Sequence, residues 1–80
     1  MLVRVYVTLK PGVLDPEGQT IGASLRRLGF DEVEGVRVGR YLEIETGADD
    51  EAGIRERVEE MCDALLANPV LENYRIDMVR

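Results

Sequence analysis

The sequence predicts an α+β domain, with two helices on one face of an antiparallel sheet in the order β-α-β-β-α-β. Three observations carry that prediction. Residues 2–9 and 34–46 alternate apolar and polar side chains with a period of two, the mark of strands with one buried face. Two stretches between and after them repeat apolar residues at helical spacing. Turn and capping residues stand at the junctions, so each change of period coincides with a chemical signal for it.

In chain order, Val3, Val5, Val7 and Leu9 face one way while Leu2, Arg4, Tyr6 and Thr8 face the other. Lys10-Pro11-Gly12-Val13-Leu14-Asp15-Pro16-Glu17-Gly18 then turns the chain from strand to helix. Pro11-Gly12 is a turn dipeptide. Asp15 can accept from the orphan N–H groups of a first helical turn, and Pro16 has no N–H to leave unbonded. By that account Asp15→Ala costs ~0.5–2 kcal/mol. The helix runs from about Pro16 to Leu28, with Ile21, Leu25 and Leu28 on one stripe and Arg26 and Arg27 opposite. Gly29 stands where a left-handed residue ends a helix, and Phe30 is placed to fold back onto Leu25.

From Glu34 to Thr46 the even positions Val36, Val38, Leu42 and Ile44 form an apolar face, and Arg37, Tyr41, Glu43 and Glu45 form the other. A two-residue loop at Gly39-Arg40 would pair Val36 with Glu43. A three-residue loop at Val38-Gly39-Arg40 pairs Val36 with Leu42 and keeps the core on one side, so that hairpin is preferred. The alternative is one long bent strand shared between two sheets. Asp49, Asp50 and Glu51 suit the positive end of a second helix, whose stripe is Ile54, Val58, Met61, Cys62 and Leu65. Asn68-Pro69 stops it. The last strand covers about Leu71 to Val79, with Tyr74, Ile76 and Met78 on one face. This element order is the ferredoxin-like arrangement, and the chain reads as a single domain over residues 1–80.

Composition narrows the function classes. Sixteen acids against ten bases give a net charge of −6, and nucleic acid is not expected as a partner, because phosphate binding needs concentrated positive charge. No run approaches the ~18–20 apolar residues that span a bilayer. Met1-Leu2-Val3-Arg4 does not read as a signal peptide, and one cysteine forms no internal disulfide. A cytoplasmic protein is expected. At this size only ~60–65% of the unfolded chain's surface is buried, so the core is small and association would help it.

Candidate chemistry is sparse. The chain has no histidine, which removes Ser-His and Cys-His pairs. Cys62 lies on an apolar stripe, where a buried core residue is the simpler reading than a reactive thiol. There is no C-x-x-C, and Gly12, Gly18 and Gly22 do not match a phosphate-binding glycine loop. Asp49-Asp50-Glu51 reads as a helix start in preference to a cation site. No catalytic residue, cofactor site or metal site is expected on this chain. What stands out is the sheet face opposite the helices, with Leu2, Arg4, Tyr6, Arg37, Tyr41, Arg75 and Val79. Tyr and Arg together are enriched at protein interfaces. Tyr6, Arg37 and Tyr41 are therefore interface candidates, with Arg37 and Tyr41 paired across the preferred hairpin.

The chain resembles the PurS family, the small subunit of phosphoribosylformylglycinamidine synthase in de novo purine synthesis. The resemblance covers nearly the whole chain. It rests on Leu9-Lys10-Pro11-Gly12-Val13-Leu14-Asp15-Pro16-Glu17-Gly18, Leu25-Arg26-Arg27-Leu28-Gly29-Phe30, Val36-Arg37-Val38-Gly39-Arg40 and Leu65-Leu66-Ala67-Asn68-Pro69-Val70-Leu71-Glu72-Asn73-Tyr74. It implies a non-catalytic adaptor that forms a homodimer or tetramer and joins a glutaminase subunit to a larger synthetase subunit. The complex converts formylglycinamide ribonucleotide, glutamine and ATP to formylglycinamidine ribonucleotide, and the small subunit supports ammonia transfer. ATP and Mg are then expected on the synthetase subunit. Lys10, Gly12, Asp15, Asn68 and Pro69, in the most specific segments, join the interface candidates. The alternative reading is an ACT-like regulatory module with the same element order, binding an amino acid at a dimer interface.

Overall fold

The computed structural model describes residues 1–47 and 50–79, and its secondary structure follows the predicted order with one strand fewer. The strands are β1 (Leu2–Leu9), β2 (Gly39–Glu45) and β3 (Glu72–Val79), and the helices are α1 (Pro16–Arg27) and α2 (Glu51–Met61). A π-helical turn, Cys62–Leu66, extends α2. The sheet is antiparallel in the order β2-β1-β3. β1 is central because alternation lets it bury one face while both its edges are paired. Val5 stands opposite Leu42 on one side and Ile76 on the other. Val3, Val5 and Val7 are fully buried beneath Val58 and Cys62 of the α2 stripe, with Ala67 and Ile76 completing the core.

The helix ends follow the predicted chemistry closely. Asp15 accepts from the Gly18 N–H at 2.9 Å, and Pro16 opens α1. Gly29 adopts φ 103°, with Phe30 N–H donating to Leu25 O and Gly29 N–H to Arg26 O, both at 3.1 Å, a Schellman closure. At α2 the N-cap is Asp50, which makes no side-chain capping bond. Asp49 lies outside the described residues. After α2, the Ala67 N–H reaches Cys62 O across an i→i+5 turn before Asn68-Pro69 releases the chain.

Residues 34–38 depart from the preferred hairpin. They join no strand pair among the described residues, and β2 begins at Gly39. The segment runs back along α1 instead. An ideal Cβ on Gly18 would lie 2.3 Å from Val36 O, and one on Gly22 3.6 Å from Val36 Cγ2. Near the far end of α1, an Arg26 N–H donates to Val33 O at 3.1 Å. Helix and returning segment form an arm spanning residues 10–38. Only Gly18 and Gly22 of α1 are buried. The predicted stripe does not cover the sheet: Ile21 and Leu28 are exposed, Leu28 by 74%, and Phe30 is 48% exposed. α1 makes at most marginal contact with the other elements among the described residues.

The chain is accordingly extended. A compact chain of this length has a radius of gyration of about 12 Å. This one measures 16.0 Å, with extents of 48 × 27 × 14 Å.

Candidate interaction surface

The sheet face away from α2 holds the most organised cluster of large side chains. Alternation on β1 puts Arg4 and Tyr6 there, and the register sets Tyr6 opposite Tyr41 on β2 and Arg75 on β3. The two tyrosine rings lie 5.1 Å apart at 44°, and the Arg75 guanidinium sits 4.4 Å from the Tyr6 ring centre. Stacking and cation–π attraction thus order three residues from three strands into one platform. Charges of both signs surround it. Arg4 Nε is 3.8 Å from a Glu43 carboxylate oxygen, and Arg75 is 3.6 Å from Asp77. The Tyr41 hydroxyl donates to Glu43 at 2.9 Å. Desolvation and that bond to Glu43 push the Tyr41 phenol above its usual range. Arg4 Nε is shielded from solvent and has no hydrogen-bond acceptor among the described residues.

Tyr6 and Tyr41 are therefore brought together as expected, but Arg37 is elsewhere. With no hairpin, it cannot pair across from Tyr41, and Arg75 takes the place beside the tyrosines. Arg37 reaches back to the base of the arm and donates to Val13 O at 2.9 Å and Lys10 O at 3.2 Å.

The other candidates fall at one end of the sheet. Lys10 N–H donates to Leu71 O at 2.9 Å, joining the 10–13 turn to the 68–72 turn. Gly12 takes φ 87° in the first turn, which an L side chain would resist. In the second, Asn68 accepts from the Val70 N–H at 3.0 Å and donates its own N–H to Glu72 at 2.7 Å. That bond, with Arg40 at 3.1 Å, holds the Glu72 carboxyl below its usual range. Arg40 also donates to Leu66 O at 2.7 Å. Asn68 and Pro69 are exposed, as are the neighbouring Val70 and Leu71.

Asp15 faces inward, only 6% exposed. One carboxylate oxygen caps α1 and the other accepts from the Val38 N–H at 2.8 Å. These two amides, Val38 first, hold its carboxyl below the usual range. The Val38 contact spans 23 residues, so no local signal in the sequence announces it.

A cleft of about 430 Å³ lies between the base of the arm and the sheet, lined by Asp15, Glu17, Arg40 and Glu72 among others. Its Asp15 and Glu72 carboxylates are already bonded as described. Cys62 is fully buried, and burial pushes its thiol up, with Asp63 and Glu59 adding to the effect. Among the described residues no group of three or more His, Cys, Asp or Glu could hold a metal ion, and no helix is long and apolar enough to cross a membrane.

The family model PurS, described as phosphoribosylformylglycinamidine (FGAM) synthase, matches residues 2–80. The chain is 51% identical over 71 residues to the PurS subunit of that synthase in Synechocystis, covering 89% of this chain and 71% of the relative. The Bacillus subtilis PurS subunit is 42% identical, with 95% and 89% covered. Among solved structures, Bacillus subtilis PurS superposes with a TM-score of 0.88 at 40% identity, over 99% of this chain and 98% of that one. A chain in the structure of PurLQS from Thermotoga maritima superposes with a TM-score of 0.85 at 31% identity, over 99% of both.

Proposed function

Because this chain belongs to the PurS family of phosphoribosylformylglycinamidine synthase subunits, we propose that it serves that complex as a structural adaptor with no active site of its own. In this reading it joins the glutaminase and synthetase subunits and supports the passage of ammonia between them. ATP and its magnesium ion act on the synthetase subunit, and the complex works in the cytoplasm. The Thermotoga maritima neighbour occurs with PurL and PurQ, which supports the same association here. The ACT-like alternative shares the element order expected from the sequence, which has one strand more than the structure describes, and it lacks the family match, so it is not favoured.

The uncovered arm is the observation that carries the adaptor reading. Ile21, Leu28 and Phe30 are exposed on an arm whose helix makes at most marginal contact with the other elements among the described residues. Apolar surface left in water favours association. We infer that part of it is covered by a second copy of the chain, in a homodimer or tetramer. Segment 34–38, which joins no strand pair among the described residues, supports this, because unpaired backbone beside a sheet edge invites pairing. So does the tyrosine platform. It carries Arg4 and Arg75 beside Glu43 and Asp77, and a face holding both signs can meet itself across a two-fold axis. The exposed turns at Lys10-Gly12 and Asn68-Pro69 are left for the larger subunits.

An affinity-tagged chain drawn from native lysate should bring down one glutaminase and one synthetase subunit. Light scattering on the purified chain should give a multiple of its 9.0 kDa. Recovery as a lone monomer with neither companion would overturn the reading.

A further inference from the structure

We propose that Asp15 and Arg37 form a clasp that sets the pose of the arm against the sheet, and so presents the arm to a second copy of this chain. The second half rests on the self-association proposed above. The first half stands on geometry alone.

The arm leaves the sheet after Leu9 and re-enters it at Gly39, which pairs with Thr8. Both ends thus hang from neighbouring strands, and helix packing against the sheet does not hold the arm in place. Three bonds cross its base. Asp15 takes the Val38 N–H at 2.8 Å, and Arg37 donates to Val13 O at 2.9 Å and to Lys10 O at 3.2 Å. The neighbouring residues Arg37 and Val38 are therefore tied to the outgoing chain on both sides of Leu14. An ordinary N-cap is satisfied by one side-chain oxygen. Asp15 uses its second oxygen on the returning segment, which couples the first turn of α1 to the residue just before β2. Only a carboxylate accepts from both amides at once. An asparagine offers one acceptor and turns an N–H₂ donor toward the other N–H.

That difference supplies the test. Asp15→Asn keeps a good helix cap and nearly the same shape, so a residue acting only as a cap should tolerate it. A clasp should not. Hydrogen exchange of the Asp15→Asn chain should show the Val38 amide at least tenfold faster than in wild type, with the Val3, Val5 and Val7 amides unchanged. Sedimentation should show self-association weakened at least tenfold. Arg37→Ala, which leaves the cap untouched, should do the same to both measurements. Wild-type protection of Val38 in Asp15→Asn overturns the clasp. Exposed Val38 with unaltered self-association refutes the link to assembly. A wild type that stays monomeric, with Val38 exposed in the variant, upholds the clasp and removes the self-association reading instead.

Discussion

Gly18→Ala should destabilise the chain by up to about 2 kcal/mol, although alanine is the better helix former. Helix propensity alone favours the substitution by about 1 kcal/mol. Against it, the new Cβ would lie 2.3 Å from Val36 O and 2.7 Å from an Asp15 carboxylate oxygen. One neighbour is backbone, and the other is held by the Gly18 and Val38 amides. Neither can yield cheaply, and overpacking of this kind costs about 1–3 kcal/mol. On a domain this small, a net loss of about 2 kcal/mol would lower Tm by roughly 10 °C. Gly35→Ala is the control, because a Cβ there meets nothing within 4 Å, and it should stay within about 0.5 kcal/mol of wild type. Thermal unfolding of the two variants checks this. A Gly18→Ala chain more stable than wild type would mean that α1 and residues 34–38 do not pack as described.

Tyr41→Ala should leave the fold intact and weaken self-association by about 2 kcal/mol or more, roughly thirtyfold in Kd. Tyr41 is half-exposed, stacks on Tyr6 and bonds Glu43. Its removal strips the proposed interface anchor without opening the core on the other face. Were the platform merely solvated, the change would alter stability by only about 0.5 kcal/mol and association not at all. Tyr41→Phe separates the parts, since it keeps the stacked ring and gives up only the bond to Glu43. Mass by light scattering across a concentration series distinguishes the outcomes. Full-strength association in Tyr41→Ala would move the interface off this face.

Most of the fold was legible because its signals are local. Alternation over residues 2–9 is enough to make β1 a half-buried strand, and of its inward set Val3, Val5 and Val7 are buried while Leu9 is only partly so. Asp15-Pro16 and Gly29 mark both ends of α1 through backbone chemistry that needs no distant partner. The stripe of α2 likewise names Val58 and Cys62 as core residues. The misreadings arise where periodicity says that a face is covered but not by what. Val36 and Val38 alternate like a strand, yet their segment lies against Gly18 and Gly22. Those two glycines, which match no phosphate loop, let the returning chain approach α1 closely. Ile21, Leu25 and Leu28 form a regular stripe, and a stripe left uncovered by its own sheet looks the same in sequence as one facing it. For the candidate surface, Tyr6 and Tyr41 were readable from alternation. Arg37 was not, because its place on the platform depended on the hairpin, and Arg75 fills it.

The adaptor claim meets its most direct test in reconstitution. Purified chain is assayed alone for glutaminase and ATPase activity, and then added to the glutaminase and synthetase subunits with formylglycinamide ribonucleotide, glutamine and ATP. The account predicts no turnover by the chain alone and glutamine-dependent formation of formylglycinamidine ribonucleotide only when all three are present. Robust turnover by the chain alone, or full glutamine-dependent synthesis by the two larger subunits without it, would contradict the account.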